Sequence, residues 1–245
     1  MEVSLMKILY WISLFVFLCS CRADLLDCVN SAGPIRTEKR NLPAFTHLFV
    51  STDIDVEWRK TEGEPKIEIT CGRNLIKKVK AEFIGKDSLK VSNTNTCNWV
   101  RSFDSPMKAV LYSKSPQFIK LEGYGEFVCK DTLTRAPLSI QHYGAGKTTL
   151  LAKLDVLYID FTSPNDLILI GKVREGHYYI QRYGKLRAEN MEVNYLNFNM
   201  LGENDAHFNV TESISGFHNS QRNIYLIGNP KLNIKFNSSG LLIRE

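Results

Sequence analysis

Ile140-Gln141-His142-Tyr143-Gly144 returns forty residues later as Ile180-Gln181-Arg182-Tyr183-Gly184. Halfway between the two lies Ile159-Asp160-Phe161-Thr162-Ser163-Pro164-Asn165-Asp166, another apolar alternation that runs into turn residues. About twenty residues before the first copy, Lys120-Leu121-Glu122-Gly123-Tyr124-Gly125-Glu126 has the same form. Leu196 to Glu203 and Ile234 to Gly240 continue the scheme less regularly. A unit near twenty residues, made of strand, Gly/Ser/Asn turn and strand, is too short for a crossover helix or a propeller blade. One such unit cannot bury its own apolar residues. Stacked units can, because each backbone then finds partners above and below and like side chains fall into columns. The spacing therefore predicts an all-β chain folded as a β-solenoid, similar to a parallel β-helix, with Gly123-Tyr124-Gly125, Gly144-Ala145-Gly146 and Ser163-Pro164-Asn165 as corners. The competing architecture is an antiparallel sandwich whose turns happen to share this spacing.

The same stretch carries a second meaning. Gln141-His142-Tyr143-Gly144-Ala145-Gly146-Lys147-Thr148-Thr149 looks like the end of a phosphate-binding loop, which needs Gly-x-x-x-x-Gly-Lys-Thr so that consecutive amides can curl round a phosphate. The first glycine of that pattern should be residue 141, which is Gln141. Only thirteen residues separate Lys147 from Asp160, the aspartate that would hold magnesium. That leaves no room for a helix plus a return strand, since a parallel crossover alone takes a dozen residues or more. The motif is expected to be a solenoid corner, and no nucleotide partner is expected.

The front of the chain concerns export. An apolar run from Ile8 to Leu18 follows Lys7, is too short to span a bilayer, and ends in Leu18-Cys19-Ser20-Cys21. Residues 1–20 are read as a signal peptide, and the terminator resembles a lipobox in which Cys21 is acylated and becomes the first residue of the mature protein. Acyl chains contribute about 0.8 kcal/mol per buried CH2, so two or three of them hold a protein on a membrane without a spanning helix. Residues 21–34 then form a polar linker, and an ordinary secretory cut nearby is the alternative. Four cysteines follow, Cys28, Cys71, Cys97 and Cys129, with no Cys-x-x-Cys pair. Export permits up to two disulfides among them in one of three connectivities, and burial as small apolar groups is the competing reading. The formal charge of +5 is spread along the chain without a dense Lys/Arg run, which argues against a nucleic-acid partner.

Residues 35 to 110 read as short strands broken by Gly, Pro, Asn and Asp, with one helical turn over Asn74–Ala81, and are taken as a β-rich cap ahead of the coils. Within them, the run Gly33 to Glu57, containing Arg40-Asn41-Leu42-Pro43-Ala44-Phe45 and Ile54-Asp55-Val56, is followed by Gly63-Glu64-Pro65. Near the other end stands Tyr225-Leu226-Ile227-Gly228-Asn229-Pro230. These segments, with the repeated corners, resemble the auto-transporter adhesin family, also called the head GIN domain, over residues 35–243. The resemblance implies a β-solenoid in the envelope of a Bacteroidetes-like bacterium, at the outer membrane or cell surface, often lipid-anchored, with adhesion as its role. Here Ser163, Pro164, Asn199, Leu201 and Asn204 stand where the family has corner glycines.

Chemistry leaves few marks. The five histidines make no close metal-ligand pattern and no serine lies in Gly-x-Ser-x-Gly, so no metal, cofactor or catalytic residue is expected. A carbohydrate-active enzyme on the same scaffold would need two carboxylates at a set separation, for which Asp53 with Asp55 or Asp155 with Asp160 are the candidates. The expected role is instead a non-catalytic binding or scaffold module that presents a repeated face to a glycan or an envelope protein. Tyr124, Tyr143 and Tyr183 beside the corners are its candidate binding edge, unless they merely pack against one another. Association through the solenoid ends into a homo-oligomer is the third option, since unpaired strands invite pairing.

Overall fold

The computed structural model describes residues 31–95 and 107–245. Residues 1–20, read above as a signal peptide, Cys21, most of the expected 21–34 linker, Cys28 and Cys97 lie outside these residues. Strands make up 61% of the structure and helix 1%, and the chain winds a β-solenoid of about 7 turns.

Seventeen strands follow in chain order. The first seven are β1 (Ile35–Asn41), β2 (His47–Ser51), β3 (Asp55–Lys60), β4 (Lys66–Gly72), β5 (Val79–Ile84), β6 (Ser88–Asn93) and β7 (Lys108–Ser113). The next five are β8 (Phe118–Leu121), β9 (Phe127–Cys129), β10 (Leu138–His142), β11 (Thr148–Phe161) and β12 (Leu167–Ile180). The last five are β13 (Leu186–Met200), β14 (Ala206–His218), β15 (Ile224–Ile227), β16 (Lys231–Phe236) and β17 (Leu242–Arg244). The expected helical turn is a single 3-10 turn, Ile76–Lys78.

The long strands show how one coil becomes the next. In β11 the residues Thr148, Leu150, Ala152 and Leu154 are buried, the alternation slips at Asp155–Val156, and Leu157, Ile159 and Phe161 are buried beyond it. The slip is a corner at which the chain passes from one face of a flattened coil to the other. Before it, Thr148 pairs in parallel with Phe127 of β9; after it, Leu157 to Phe161 pair with Leu138 to His142 of β10. Each coil thus adds one strand to a front sheet (β10, then the second halves of β11 to β14, then β16) and one to a back sheet. Every pairing from β8 to β17 is parallel, which excludes the sandwich.

The register refines the repeat. Ile140 stands beside Ile159, Ile159 beside Tyr178, Tyr178 beside Phe198, Phe198 beside Gly216 and Gly216 beside Ile234, so the coils advance by 19, 19, 20, 18 and 18 residues. Two coils from Ile140 the chain has therefore reached Tyr178, not Ile180, whose own counterpart two coils back is His142. The two IQ-x-YG copies are displaced by two residues. An even displacement keeps every side chain on the same face of a strand, so the hydrophobic pattern survives the slip. Large rings meet inside the coil, where Phe198 and Phe208 pack with centroids 5.6 Å apart. Each fully buried Leu, Ile or Phe contributes roughly 1.5–3 kcal/mol.

The cap is smaller than residues 35 to 110, and the chain reaches it by an indirect route. β2 lies between β6 and β8, parallel to both, and β3 lies between β7 and β9. β2, β3, β6 and β7 are therefore ordinary solenoid rungs. The second rung in space is the first in sequence. Only β1, β4 and β5 run antiparallel and close the stack: β5 on β6, β4 on β7 and β1 on β4. Leu75 and Ile76 are buried there at the start of the 3-10 turn, and Arg40 of β1 donates to the carbonyls of Val79 and Ile76 at 2.7 and 3.0 Å.

Cys71 and Cys129 are free and buried, and burial raises both thiols above their ordinary pKa. Neither forms a disulfide, and both behave as small apolar groups.

Candidate binding face

At this corner the backbone amides of Tyr143, Gly144 and Ala145 already have partners. Tyr143 and Gly144 donate to the Leu121 carbonyl at 2.9 Å each, and Ala145 donates to that of Gly123 at 2.8 Å. A phosphate would find these three amides already taken by the preceding coil. The corner glycines are needed for this stacking and not for a left-handed backbone. A Cβ on Gly144 would sit 2.2 Å from the Gly123 carbonyl oxygen, and one on Gly146 would sit 1.7 Å from that of Gly125. Beneath the corner, His142 is buried, and its Nε2 lies 3.0 Å from the Gly146 carbonyl and 3.3 Å from Thr148 Oγ1.

The three corner tyrosines share an edge without forming a strip. Tyr124 is 76% exposed and Tyr183 59%, but the two corners between them carry Ala145 and Pro164 at the apex. Tyr143 sits at a strand end, 38% exposed, and its counterparts in the following coils are Thr162 and Gln181. No ring contact joins the three tyrosines. Tyr143 donates to Asp160 Oδ2, which also draws Thr162 Oγ1 to its other oxygen at 3.1 Å. Burial, with the Asp160 carboxylate behind it, pushes the Tyr143 phenol up to about 12. Lys120 Nζ lies 5.6 Å from the Tyr143 ring centroid and pairs with Glu122 at 2.6 Å.

Tyr143 is one border of a larger surface that the sequence did not disclose, the outer face of the front sheet. Alternation turns Phe118, Ser139, Tyr158, His177 and Asn197 outward in successive coils as one column. Lys120, Gln141, Asp160, Tyr179 and Asn199 form the next. Aromatic rings meet across the coils: Tyr158 stacks on His177 at 4.8 Å and 14°, and Phe118 contacts both His47 at 5.7 Å and Phe49 at 5.6 Å. His177 is held by Glu175 at 2.8 Å, and Gln181 donates to the Tyr179 hydroxyl. Toward the far coils amides replace rings, with Asn197 donating to Ser215 at 3.0 Å and Asn219 to Asn199 at 3.0 Å. Flat rings beside pre-positioned amides and hydroxyls suit contact with a broad amphipathic partner.

Of the carboxylates singled out for sugar chemistry, Asp55 and Asp155 are already engaged, and Asp155 stands far from Asp160. Asp55 Oδ1 accepts the Glu126 amide at 2.9 Å, and Asp155 pairs with Arg174. Asp155 and Asp160 are five residues apart on one strand, roughly 16 Å by strand rise, beyond the separations of acid/base pairs in glycosidases. Among the described residues no group of three His, Cys, Asp or Glu side chains is placed to hold a metal ion. One cavity of about 300 Å3 lies at the opposite corner beside the cap, between Phe45, Pro65, Asp87, Lys114 and Arg135.

A family model described as "Putative auto-transporter adhesin, head GIN domain" matches residues 44–230. The chain belongs to that family. Solved structures share the head GIN architecture. A putative adhesin from Bacteroides fragilis NCTC 9343 superposes with a TM-score of 0.77 at 18% identity, over 86% of this chain and 97% of that one. A putative adhesin from Parabacteroides merdae ATCC 43184 gives 0.65 at 18%, over 88% and 98%. A protein from Parabacteroides distasonis ATCC 8503 described as a putative lipid binding protein gives 0.65 at 15%, over 87% and 97%. At these identities the likeness is one of fold. No curated protein matches the chain. The head GIN match begins at Ala44, so the family pattern includes the out-of-order rungs β2 and β3 and leaves out β1.

Proposed function

We propose that this head GIN domain is a non-catalytic adhesin of the cell envelope, tethered through acylated Cys21, whose front-sheet face binds an extended glycan or an envelope protein. The observation that carries the reading is the run of Tyr158, His177 and Tyr179 across adjacent coils, with Asp160, Gln181 and Asn199 as polar neighbours on the same flat face. Sugar rings present an apolar C–H face to aromatic side chains and hydroxyls to amides and carboxylates, and both kinds of group stand here at strand spacing. The adhesin description of the family and of the Bacteroides and Parabacteroides structures supports the same role. The tether rests on the lipobox-like Leu18-Cys19-Ser20-Cys21.

The test is retention of the purified domain on an immobilised panel of bacterial and host glycans and on envelope proteins from the same cells. Tyr158→Ala combined with Tyr179→Ala should abolish retention while the β-type circular dichroism persists. Retention that survives this pair but is lost with Tyr143→Ala and Tyr183→Ala would move the site to the corner edge. Release of sugar products from a polysaccharide, lost in Asp160→Asn, would replace the adhesin with an enzyme. Labelling with a fatty-acid probe should disappear in Cys21→Ser, and persistent labelling would refute the tether.

A further inference from the structure

The capped end of the solenoid is one-sided in charge. Gly72–Ala81, which crosses that end from β4 to β5, contains Arg73, Lys77, Lys78 and Lys80 and no carboxylate. Its apolar residues Leu75, Ile76 and Val79 are buried, which leaves the cations outside, Arg73 and Lys77 fully exposed. Folding adds a fifth, because Arg36 of β1 stands opposite Cys71 of β4, exposed and next to the exposed Ile35. The carboxylates nearby do not neutralise the group. Glu38 is taken by Arg40 at 2.6 Å, and Glu82 faces Lys90 across the β5/β6 pair. Among the described residues Arg36, Arg73, Lys77 and Lys80 form no ion pair, whereas the middle coils match Lys120 with Glu122, Lys172 with Glu192, Arg174 with Asp155 and Arg187 with Asp166.

The same surface receives the chain from its N-terminal side. The Asn74 side chain donates to the Ser31 carbonyl at 2.9 Å, and the amides of Asn74 and Arg73 donate to the carbonyls of Ala32 and Pro34 at 3.1 and 2.9 Å. Ser31 is therefore fastened to the basic turn. It lies ten residues from Cys21, and a chain reaches at most about 3.6 Å per residue, so an acyl group on Cys21 stays within about 36 Å of the turn by any path.

We infer that this end is a membrane-contacting surface for anionic lipid headgroups, on which the solenoid stands cap-down. The upright attitude rests on the Cys21 tether proposed above, and the attraction of the basic end to headgroups does not. A tether of that reach would by itself let the solenoid lie flat or stand, and the charges select between the two. Each Lys or Arg close to an anionic surface strengthens binding about fivefold, while the ion-paired middle coils offer little net attraction. A single lipid chain with a basic patch is also the usual pairing of signals that makes anchoring durable. Standing on the cap has a consequence for the front-sheet face. From β5 the strands run β6, β2, β8, β10 and β11, so Tyr158 lies five strand spacings, about 24 Å, beyond the cap and clear of the headgroups.

Flotation with lipid vesicles at low salt reads the contact, using the chain from residue 21 onward with Cys21→Ser so that no acyl chain takes part. It should bind vesicles containing about a third phosphatidylglycerol and not pure phosphatidylcholine, and salt at about 1 M should release it. Lys77→Gln combined with Lys80→Gln should lower the partition at least about tenfold with unchanged circular dichroism. Lys231→Gln combined with Lys235→Gln makes the same change of net charge on β16 and should leave the partition within about twofold. With the acylated wild-type chain on the same vesicles, amine acetylation followed by mass spectrometry should slow at Lys77 and Lys80 and not at Lys231 and Lys235. No binding to the anionic vesicles, an equal loss in the two variant pairs, or retention on the acidic polysaccharide polygalacturonate with none on vesicles would each overturn the inference. Fatty-acid labelling reads the tether alone and vesicle binding of the Cys21→Ser chain reads the basic end alone, so the failure of one is told from the failure of the other.

Discussion

The imidazole of His142 stacks on the ring of Phe161 in the next coil, with centroids 5.6 Å apart and planes 26° from parallel. Nε2 faces the Gly146 carbonyl, which assigns the proton to Nε2, and Nδ1 is buried without a partner. A second proton on Nδ1 would be stranded in the core. Desolvation accordingly lowers the His142 pKa to about 4, against 6.5 for the free side chain, and burial lowers His218 in the same direction.

The sign of the pH dependence follows. Above pH 6.5 both folded and unfolded chains hold a neutral His142, and its full contribution is present. Between pH 6.5 and about 4 the unfolded chain binds a proton that the folded one refuses, so stability falls as pH falls, by roughly 3 kcal/mol over the window. Thermal unfolding at pH 7 and pH 4.5 should show the drop, and His142→Leu should flatten it. An unchanged pH profile in His142→Leu would mean that other groups carry the acid sensitivity.

Gly146→Ala should destabilise the fold by at least about 2 kcal/mol, since the new methyl meets the Gly125 carbonyl oxygen at 1.7 Å and backbone cannot step aside as a side chain can. Gly63→Ala is the matched control. Its Cβ meets nothing closer than Thr61 Oγ1 at 3.6 Å. Urea titration of the pair should separate them clearly, and equal midpoints would show that the corners can spread.

What the sequence disclosed and what it concealed divide along a physical line. Coil length, corner glycines and the alternation inside β11 are local features, and each is legible in a single stretch such as Thr148–Phe161. The insertion of β2 between β6 and β8 is non-local, since parallel rungs are joined by backbone bonds that any side chain permits. Nothing in His47–Ser51 specifies two neighbours so far along the chain. The two-residue slip between Ile140 and Ile180 was hidden by the pleat, which repeats every two residues. The aromatic face escaped for a similar reason. Tyr158, His177 and Tyr179 each read as an ordinary outward position of one strand, and only the register puts them side by side.

Lys147→Ala should leave both stability and ligand behaviour unchanged. In a true phosphate loop the lysine and the preceding amides act together on the phosphates. Here the amides of Tyr143, Gly144 and Ala145 are bonded to the coil before them. Calorimetry with magnesium ATP should therefore record no binding heat for the parent chain or the variant. Heat that vanishes in Lys147→Ala would restore the nucleotide reading.

The out-of-order rung has its own probe. Trp58 of β3 is fully buried, and its indole Nε1 donates to Ser113 Oγ of the neighbouring β7 at 2.9 Å, while that hydroxyl donates onward to the Lys114 carbonyl at 2.9 Å. Ser113→Ala removes the acceptor and leaves a buried N–H unpaired, at a cost of about 1–3 kcal/mol. Ser113→Thr keeps the hydroxyl and should recover most of that loss if the extra methyl fits. Because β3 is held between β7 and β9, loosening this contact should lower the whole unfolding transition and leave no separate early phase. Urea unfolding followed both by tryptophan fluorescence and by far-ultraviolet circular dichroism decides the matter. Coincident curves shifted together in Ser113→Ala would show that the inserted rung is integral to one cooperative stack, and a fluorescence change that precedes the loss of β structure would show that it opens independently.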